Sequence, residues 1–237
     1  MLKIYNENGL PFWNEHEIEL RNYLIAFFAR EINVALLEMN PAWKMHRIEA
    51  PILTPIEFIN ENYGPEDVFI QDTSLVLRPE TTAGSYQYAK HLMNTHSGTV
   101  PPFVVWQAGK SFRRETDHVE KHMRLKEFYQ QEFQCFYASD TLNDYHGVIL
   151  QKIYNMFEKV LKQSLNIVPS DRLPGYSLNT IDIEALQNPG EFMELCSVSV
   201  RNDFTEKAKF TTKKGTIEKD LLVLEIAIGL DRIIYNS

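Results

Sequence analysis

The sequence predicts an α+β fold built on a mixed, mainly antiparallel sheet. Two long segments carry apolar residues at helical spacing, and several separate runs are rich in strand formers. Those runs are joined both by turns and by helices. The first helix spans Glu15 to Met39, with Ile18, Leu20, Leu24, Phe27, Phe28, Ile32, Val34 and Leu37 on its apolar positions. Asn14 reads as its N-cap, Glu15 and Glu17 fall in the first turn, and Pro41 stops the run. A strand over His46–Leu53, interrupted at Pro51, follows, then a strand at Ser74–Leu77 and a helix at Glu80–Met93 entered through Pro79. Phe103–Glu115 and Leu125–Tyr137 read as an antiparallel pair joined by the charged stretch Thr116–Arg124. The second long helix is predicted over Asn143–Leu165, and short strands over Phe192–Val200 and Phe204–Thr211. Leu221–Ile228 is a continuous apolar run that breaks at Gly229 into a helix over Leu230–Tyr235.

Composition narrows the functional classes. The chain has 237 residues, 44% of them hydrophobic, with 14 Phe and 11 Tyr, which is ample for a buried core and argues against disorder. No apolar run approaches the roughly 18 residues of a membrane span, and the N-terminus has no signal-peptide pattern, so a cytoplasmic protein is expected. Cys135 and Cys196 lack metal-ligand spacing and read as buried thiols. A formal charge of −8 argues against broad electrostatic binding of nucleic acid. Positive charge is nevertheless concentrated between Lys110 and Lys126. No repeat, low-complexity tract or linker divides the chain, so residues 1–237 read as one domain.

The densest chemical signal is Phe112-Arg113-Arg114-Glu115, a loop, then Arg124-Leu125-Lys126-Glu127-Phe128. Such a hairpin offers planar guanidinium forks for phosphate or carboxylate oxygens, and an aromatic ring able to stack a nucleobase. On the residues alone, a solvated hairpin with its charges facing water stands beside that reading. The histidines form no HExxH or triad pattern; His118 and His122 read as polar loop residues near an acceptor.

This stretch resembles motif 2 of class II aminoacyl-tRNA synthetases, an FRxE hairpin followed by REF. The resemblance implies that Arg113 holds the ATP α-phosphate, Glu115 sits near the adenine, Arg124 approaches the distal phosphates or the acceptor end, and Phe128 stacks on adenine. Lys126 stands where REF has Arg. Glu225-Ile-Ala-Ile-Gly229-Leu-Asp231-Arg232 resembles motif 3, whose arginine, here Arg232, clamps the γ-phosphate at a helix start, where anions are already favoured. The long helix followed by Arg47–Pro51 resembles motif 1, and implies a homodimer through about residues 15–53.

Within the class the chain is most similar to the glycyl type. Leu77-Arg78-Pro79-Glu80-Thr81, Pro101-Pro102-Phe103 through Arg113, and Glu194-Leu195 followed by Val200-Arg201-Asn202-Asp203-Phe204 all resemble glycyl segments. That resemblance implies a pocket in which Glu80, Glu132 and Glu225 hold the substrate ammonium, Arg201 steers its carboxylate, and Glu194 is a magnesium ligand. The chain departs from the pattern at Ala227, where a serine is usual, and at Gln134, where an acid is usual; Ala227 leaves room for a larger side chain. The expected activity is ATP- and Mg²⁺-dependent activation of glycine or another small amino acid, followed by transfer to tRNA, a carrier protein or a small molecule. No anticodon-binding domain is expected after motif 3. The competing expectation is a non-catalytic paralogue serving as a regulatory or accessory subunit; retention of Arg113, Glu115, Phe128 and Arg232 favours the enzyme.

Overall fold

The computed structural model describes residues 9–59, 63–95, 99–116, 123–139, 144–171, 175, 177–208 and 221–237. The first helix, α1 (Glu15–Met39), starts as its sequence dictates. Asn14 accepts a hydrogen bond from the Glu17 N–H at 3.0 Å, and the Glu17 carboxylate accepts from the Asn14 N–H at 3.0 Å, a reciprocal capping box. Leu24, Phe28, Ile32, Ala35 and Leu36 form its buried stripe.

Seven strands make one sheet, in the spatial order β1 (Lys44–Arg47), β4 (Phe103–Phe112), β5 (Glu127–Ala138), β9 (Leu221–Gly229), β8 (Glu191–Arg201), β7 (Ser177–Asn188), β6 (Leu165–Pro169). Strand β1 runs parallel to β4, and every other neighbouring pair is antiparallel. A separate two-stranded sheet pairs β2 (Leu53–Pro55) with β3 (Leu75–Leu77). One face of the large sheet is covered by α1, α3 (Tyr145–Val160) and α5 (Leu230–Asn236) over a continuous apolar core. The other face is only partly covered. There α2 (Thr82–Thr95) and α4 (Phe204–Lys207) pack Tyr86, Ala89, Leu92 and Phe204 against Phe103, Val105, Phe136 and Val223. The uncovered remainder of that face is the floor of a cavity.

Three expectations are corrected, and one strand lies outside them. The segment His46–Leu53 is not one strand. Pro51 has no N–H to donate, and the chain leaves β1 to enter the second sheet at Leu53. The crossing is held by Gln107 and Arg78: the Ala50 N–H donates to Gln107 Oε1 at 3.1 Å, and Arg78 Nη1 donates to the Ala50 carbonyl at 2.9 Å. Helix α3 ends at Val160 rather than Leu165, because residues from Leu165 onward pair with β7. Phe204–Lys207 is one helical turn and not a strand; residues 209–211 of that prediction lie outside the described residues, as do His118 and His122. Finally, the 12-residue strand β7 was not anticipated at all.

Candidate active site

The uncovered sheet face, closed above by the segment before α2 and by the hairpin of β4 and β5, encloses a cavity of about 810 Å³. Arg113, Glu115, Arg124, Phe128, Glu194, Arg232, Glu80, Glu132 and Glu225 all line it, although they come from segments far apart in sequence. Arg201 is the one predicted residue placed elsewhere, behind Glu225 and not at the cavity wall.

Strand register explains the layout. Phe128, Gln130 and Glu132 alternate along β5 on the cavity face, and β9 lies beside them with Gln130 opposite Gly229 and Glu132 opposite Ala227. At roughly 3.3 Å per residue, Phe128 and Glu132 lie about 13 Å apart along the strand. One end of the cavity therefore carries the aromatic and the arginines, and the other carries carboxylates.

At the first end, the Arg113 guanidinium sits 5.2 Å from the Phe128 ring centroid and 5.3 Å from that of Tyr63, and its Nε donates to the Pro79 carbonyl at 3.1 Å. Burial opposes the Arg113 charge, but Tyr63, Glu80, Glu194 and Glu115 outweigh it and hold the guanidinium above its ordinary pKa. Arg124 lies 3.7 Å from Glu115. Arg232, at the start of α5, donates to the Glu194 backbone carbonyl at 2.8 Å and lies 3.7 Å from that residue's carboxylate. Gly229, immediately before α5, brings the backbone under this end, where an added Cβ would meet the Leu195 carbonyl at 3.5 Å.

At the other end, Glu132 accepts from Thr81 Oγ1 at 2.6 Å and from Gln130 Nε2 at 2.6 Å. Thr82 Oγ1 lies 3.2 Å from Glu132 and 3.0 Å from Glu225, so its single hydrogen is shared between them. Glu225 also accepts from Gln134 Nε2 at 2.7 Å and from Arg201 Nη1 at 2.6 Å. Arg201 is 1% exposed and turns its other edge to Asp203, with Nη2 to Oδ2 at 2.7 Å; Tyr86 Oη donates to the same carboxylate at 2.8 Å. Arg201 thus anchors Glu225 from behind. Burial pushes Glu132 up to about 7, with Glu225 and Glu80 adding to the rise. Glu80, which accepts from Tyr63 Oη at 3.1 Å, is raised by burial too, against the pull of Arg201. Gln134, in the position where an acid is usual, instead donates to Glu225; a further ionised acid beside Glu80, Glu132 and Glu225 would have worsened the crowding.

Sequence reasoning missed several contributors. Tyr63 donates to Glu80 and lies against Arg113, and Gln130 donates to Ser111 and Glu132; nothing local in the sequence marks either residue. Arg78 lay inside a recognised motif without a role. It braces the floor by donating to the carbonyls of Lys110 and Ala50, each at 2.9 Å. Asp182 and Glu184 on β7 face the same cavity as Glu194. Burial and then the Glu194 charge push Asp182 up to about 7, and its Oδ1 has no hydrogen-bond partner among the described residues. Cys135 and Cys196 are buried free thiols, as expected.

The model of the tRNA synthetase class II core domain (G, H, P, S and T) matches residues 67–236, so the chain belongs to the class II tRNA synthetase core family. Among its curated relatives, a glycine–tRNA ligase from Mycoplasmopsis synoviae (strain 53) is 31% identical over 173 residues, covering 68% of this chain and 38% of the relative. A glycine–tRNA ligase from Ureaplasma parvum serovar 3 is 27% identical over 241 residues, covering 90% and 50%. The chain thus spans half or less of these relatives' length. Prolyl-tRNA synthetase from Cryptosporidium parvum, complexed with halofuginone and AMPPNP, superposes with a TM-score of 0.77 over 99% of this chain and 48% of that one. At 16% identity that likeness establishes the fold alone. No described helix is long and apolar enough to cross a membrane.

Proposed function

We propose that the chain activates glycine, or another small amino acid, with ATP, and passes the aminoacyl group to a tRNA. The observation that carries this reading is the division of one cavity into an arginine–aromatic end and a carboxylate end about 13 Å apart, a span suited to a nucleotide with a small acyl group beyond it. Phe128 would stack the adenine, Glu115 would lie beside it, Arg113 would hold the α-phosphate, and Arg232 and Arg124 the distal phosphates. Glu80, Glu132 and Glu225 would receive the ammonium. Arg201 would act mainly by holding Glu225 in place through their ion pair, and any contact with the substrate carboxylate would require it to turn from Asp203.

In the reaction, the amino-acid carboxylate oxygen attacks the α-phosphorus and pyrophosphate leaves. The side chains supply position and charge rather than a nucleophile. Among the described residues no three acids or histidines converge to hold a metal by themselves. The donor set nonetheless fits a magnesium ion shared with phosphates: Glu194 is half exposed at the cavity, and Asp182 lines the same cavity. Mg²⁺ there would neutralise phosphate charge.

The names of the relatives support a tRNA acceptor over a carrier protein or small molecule, and a cytoplasmic setting. Ile18, Tyr23, Val34 and Leu37, exposed on α1, support a homodimer through that helix. The intact set of arginines and carboxylates in one cavity counts against a non-catalytic paralogue. Pyrophosphate exchange with each of the twenty amino acids tests the proposal. We expect exchange with glycine or one small amino acid, reduced at least about 100-fold in Arg113→Ala and Arg232→Ala. Silence with all twenty, with and without added tRNA, would refute it.

A further inference from the structure

We propose that Asp231 and Arg21 are positioning residues, which set the separation of Phe128 and Arg232 and so tie helix α1 to the nucleotide end of the cavity. The inference rests on the nucleotide reading given above.

Strand β9 ends at Gly229, whose partner on β5 is Gln130. The next N–H along β5, that of Tyr129, therefore has no β9 residue to pair with, because the chain has turned into α5. The Asp231 carboxylate takes that place and accepts the Tyr129 N–H through Oδ2. The side chain is 2% exposed, and its other oxygen has no hydrogen-bond partner among the described residues. Burying a carboxylate for two backbone hydrogen bonds, from Tyr129 and from its own N–H, with one oxygen lacking a hydrogen-bond partner among the described residues, is costly, so the arrangement calls for a reason beyond closing a sheet edge. Its neighbours supply one. Phe128 precedes Tyr129 and Arg232 follows Asp231, so this one bond spans the two side chains between which the nucleotide would lie.

The opposite face of β5 carries the second half of the brace. The Tyr129 ring points towards α1, where the Arg21 guanidinium lies 3.9 Å from its centroid and 5.1 Å from that of Trp13. Trp13 packs edge-on against Tyr129 at 5.8 Å. Two residues further along the same face, Gln131 Nε2 donates to the Ile25 carbonyl of α1 at 3.0 Å. Helix α1 therefore grips β5 at two successive outward positions, beginning at the residue that Asp231 holds. Arg21 also supplies the Asp231 carboxylate with favourable charge from the α1 side, as Arg232 does from within α5.

The test is calorimetric titration of Mg·ATP onto the full chain, which reads the nucleotide site without turnover, with pyrophosphate exchange measured alongside. Asp231→Leu removes the acceptor and should weaken ATP binding about tenfold, the equivalent of one hydrogen bond to a charged group. Asp231→Asn retains an acceptor oxygen and should stay within about threefold of wild type. Arg21→Leu, distant from the cavity, should weaken ATP binding at least about threefold while changing the KM for the amino acid less than about twofold. The amino-acid end is built on Glu132, Glu225 and α2, so a positioning role spares it. Wild-type ATP affinity in a folded Asp231→Leu or Arg21→Leu protein would overturn the proposal. So would a parallel rise in both constants together with a lower melting temperature, which is the mark of general loosening. If Asp231→Leu does not fold, Arg21→Leu alone decides. A wild-type chain that binds ATP but exchanges no pyrophosphate defeats the proposed reaction, and the brace is then judged by the ATP titrations alone.

Discussion

Replacing Glu132 with Gln should stabilise the protein above neutral pH while disabling its amino-acid end. Glu132 is buried beside Glu225 and Glu80, and its carboxyl is pushed up to about 7 from an ordinary value of 4.5, first by desolvation and then by those two charges. Each pKa unit corresponds to about 1.4 kcal/mol, so keeping the group ionised in the fold costs roughly 3 kcal/mol at pH 8. The sign follows from the folded value lying above the unfolded one. Relative to high pH, the contribution to stability is fully present below about 4.5 and is lost as pH rises through about 7. Gln keeps an oxygen for the Gln130 amide, and its own amide faces the Thr81 and Thr82 hydroxyls, which can rotate to accept. Sharing of protons with Glu225 and Glu80 reduces the gain, leaving an expected 1–3 kcal/mol, to order of magnitude (about 2). Urea unfolding of both proteins at a series of pH values between about 4.5 and 8 measures the difference directly. Asp182 and Asp231, also pushed up to about 7, contribute the same slope to both proteins and cancel. The reasoning fails if Glu132→Gln is the less stable protein at pH 8, or if the two pH profiles are parallel.

Arg201→Leu should act in the opposite direction. It leaves Glu225 and Asp203 buried without their cation, and removing one member of such a group costs about 3–5 kcal/mol; a shift below about 1 kcal/mol in urea unfolding would refute that account. Gly109→Ala should destabilise by roughly 1–3 kcal/mol, since its Cβ would stand 2.5 Å from Arg78 Nη2 and push that guanidinium off the Lys110 and Ala50 carbonyls. A melting temperature equal to that of wild type would show that Arg78 has room to move.

What was legible in the sequence is what local chemistry specifies. Asn14 and Glu17 announce the start of α1 because a capping box needs only neighbours. Gly229 marks the end of β9 because the helix after it begins at once. The hairpin carrying Arg113 and Phe128 is legible because its charges and aromatics are contiguous. The residues missed depend on strand pairing. Strand β7 presents Thr180, Asp182 and Glu184 to the cavity, so its polar face hides the alternation that marks a half-buried strand. Phe204–Lys207 has the apolar lead of a strand, but Phe204 is drawn into the core under α2, and a single helical turn places it there. Arg201 was assigned to the substrate carboxylate by the resemblance to glycyl segments. Only the fold reveals that Asp203 and Glu225 already occupy its guanidinium.

That occupancy bears on how the cavity chooses its ligand. At the carboxylate end Glu80, Glu132, Glu225 and Asp203 are gathered around Arg201, with Arg113 reaching in from the other end. Negative charge exceeds positive there, and the Glu225 charge adds to burial in raising Glu80 and Glu132. On the proposed reading, a substrate ammonium would balance that charge. Its arrival would favour the ionised form of Glu132, so binding near neutral pH should release a fraction of a proton, visible as a buffer-dependent heat in calorimetry. A neutral side chain at the same end would leave the crowding unrelieved. On the proposed reading, the crowding of these carboxylates favours an ammonium over a neutral group, and Glu132→Gln, by reducing it, should lower that preference.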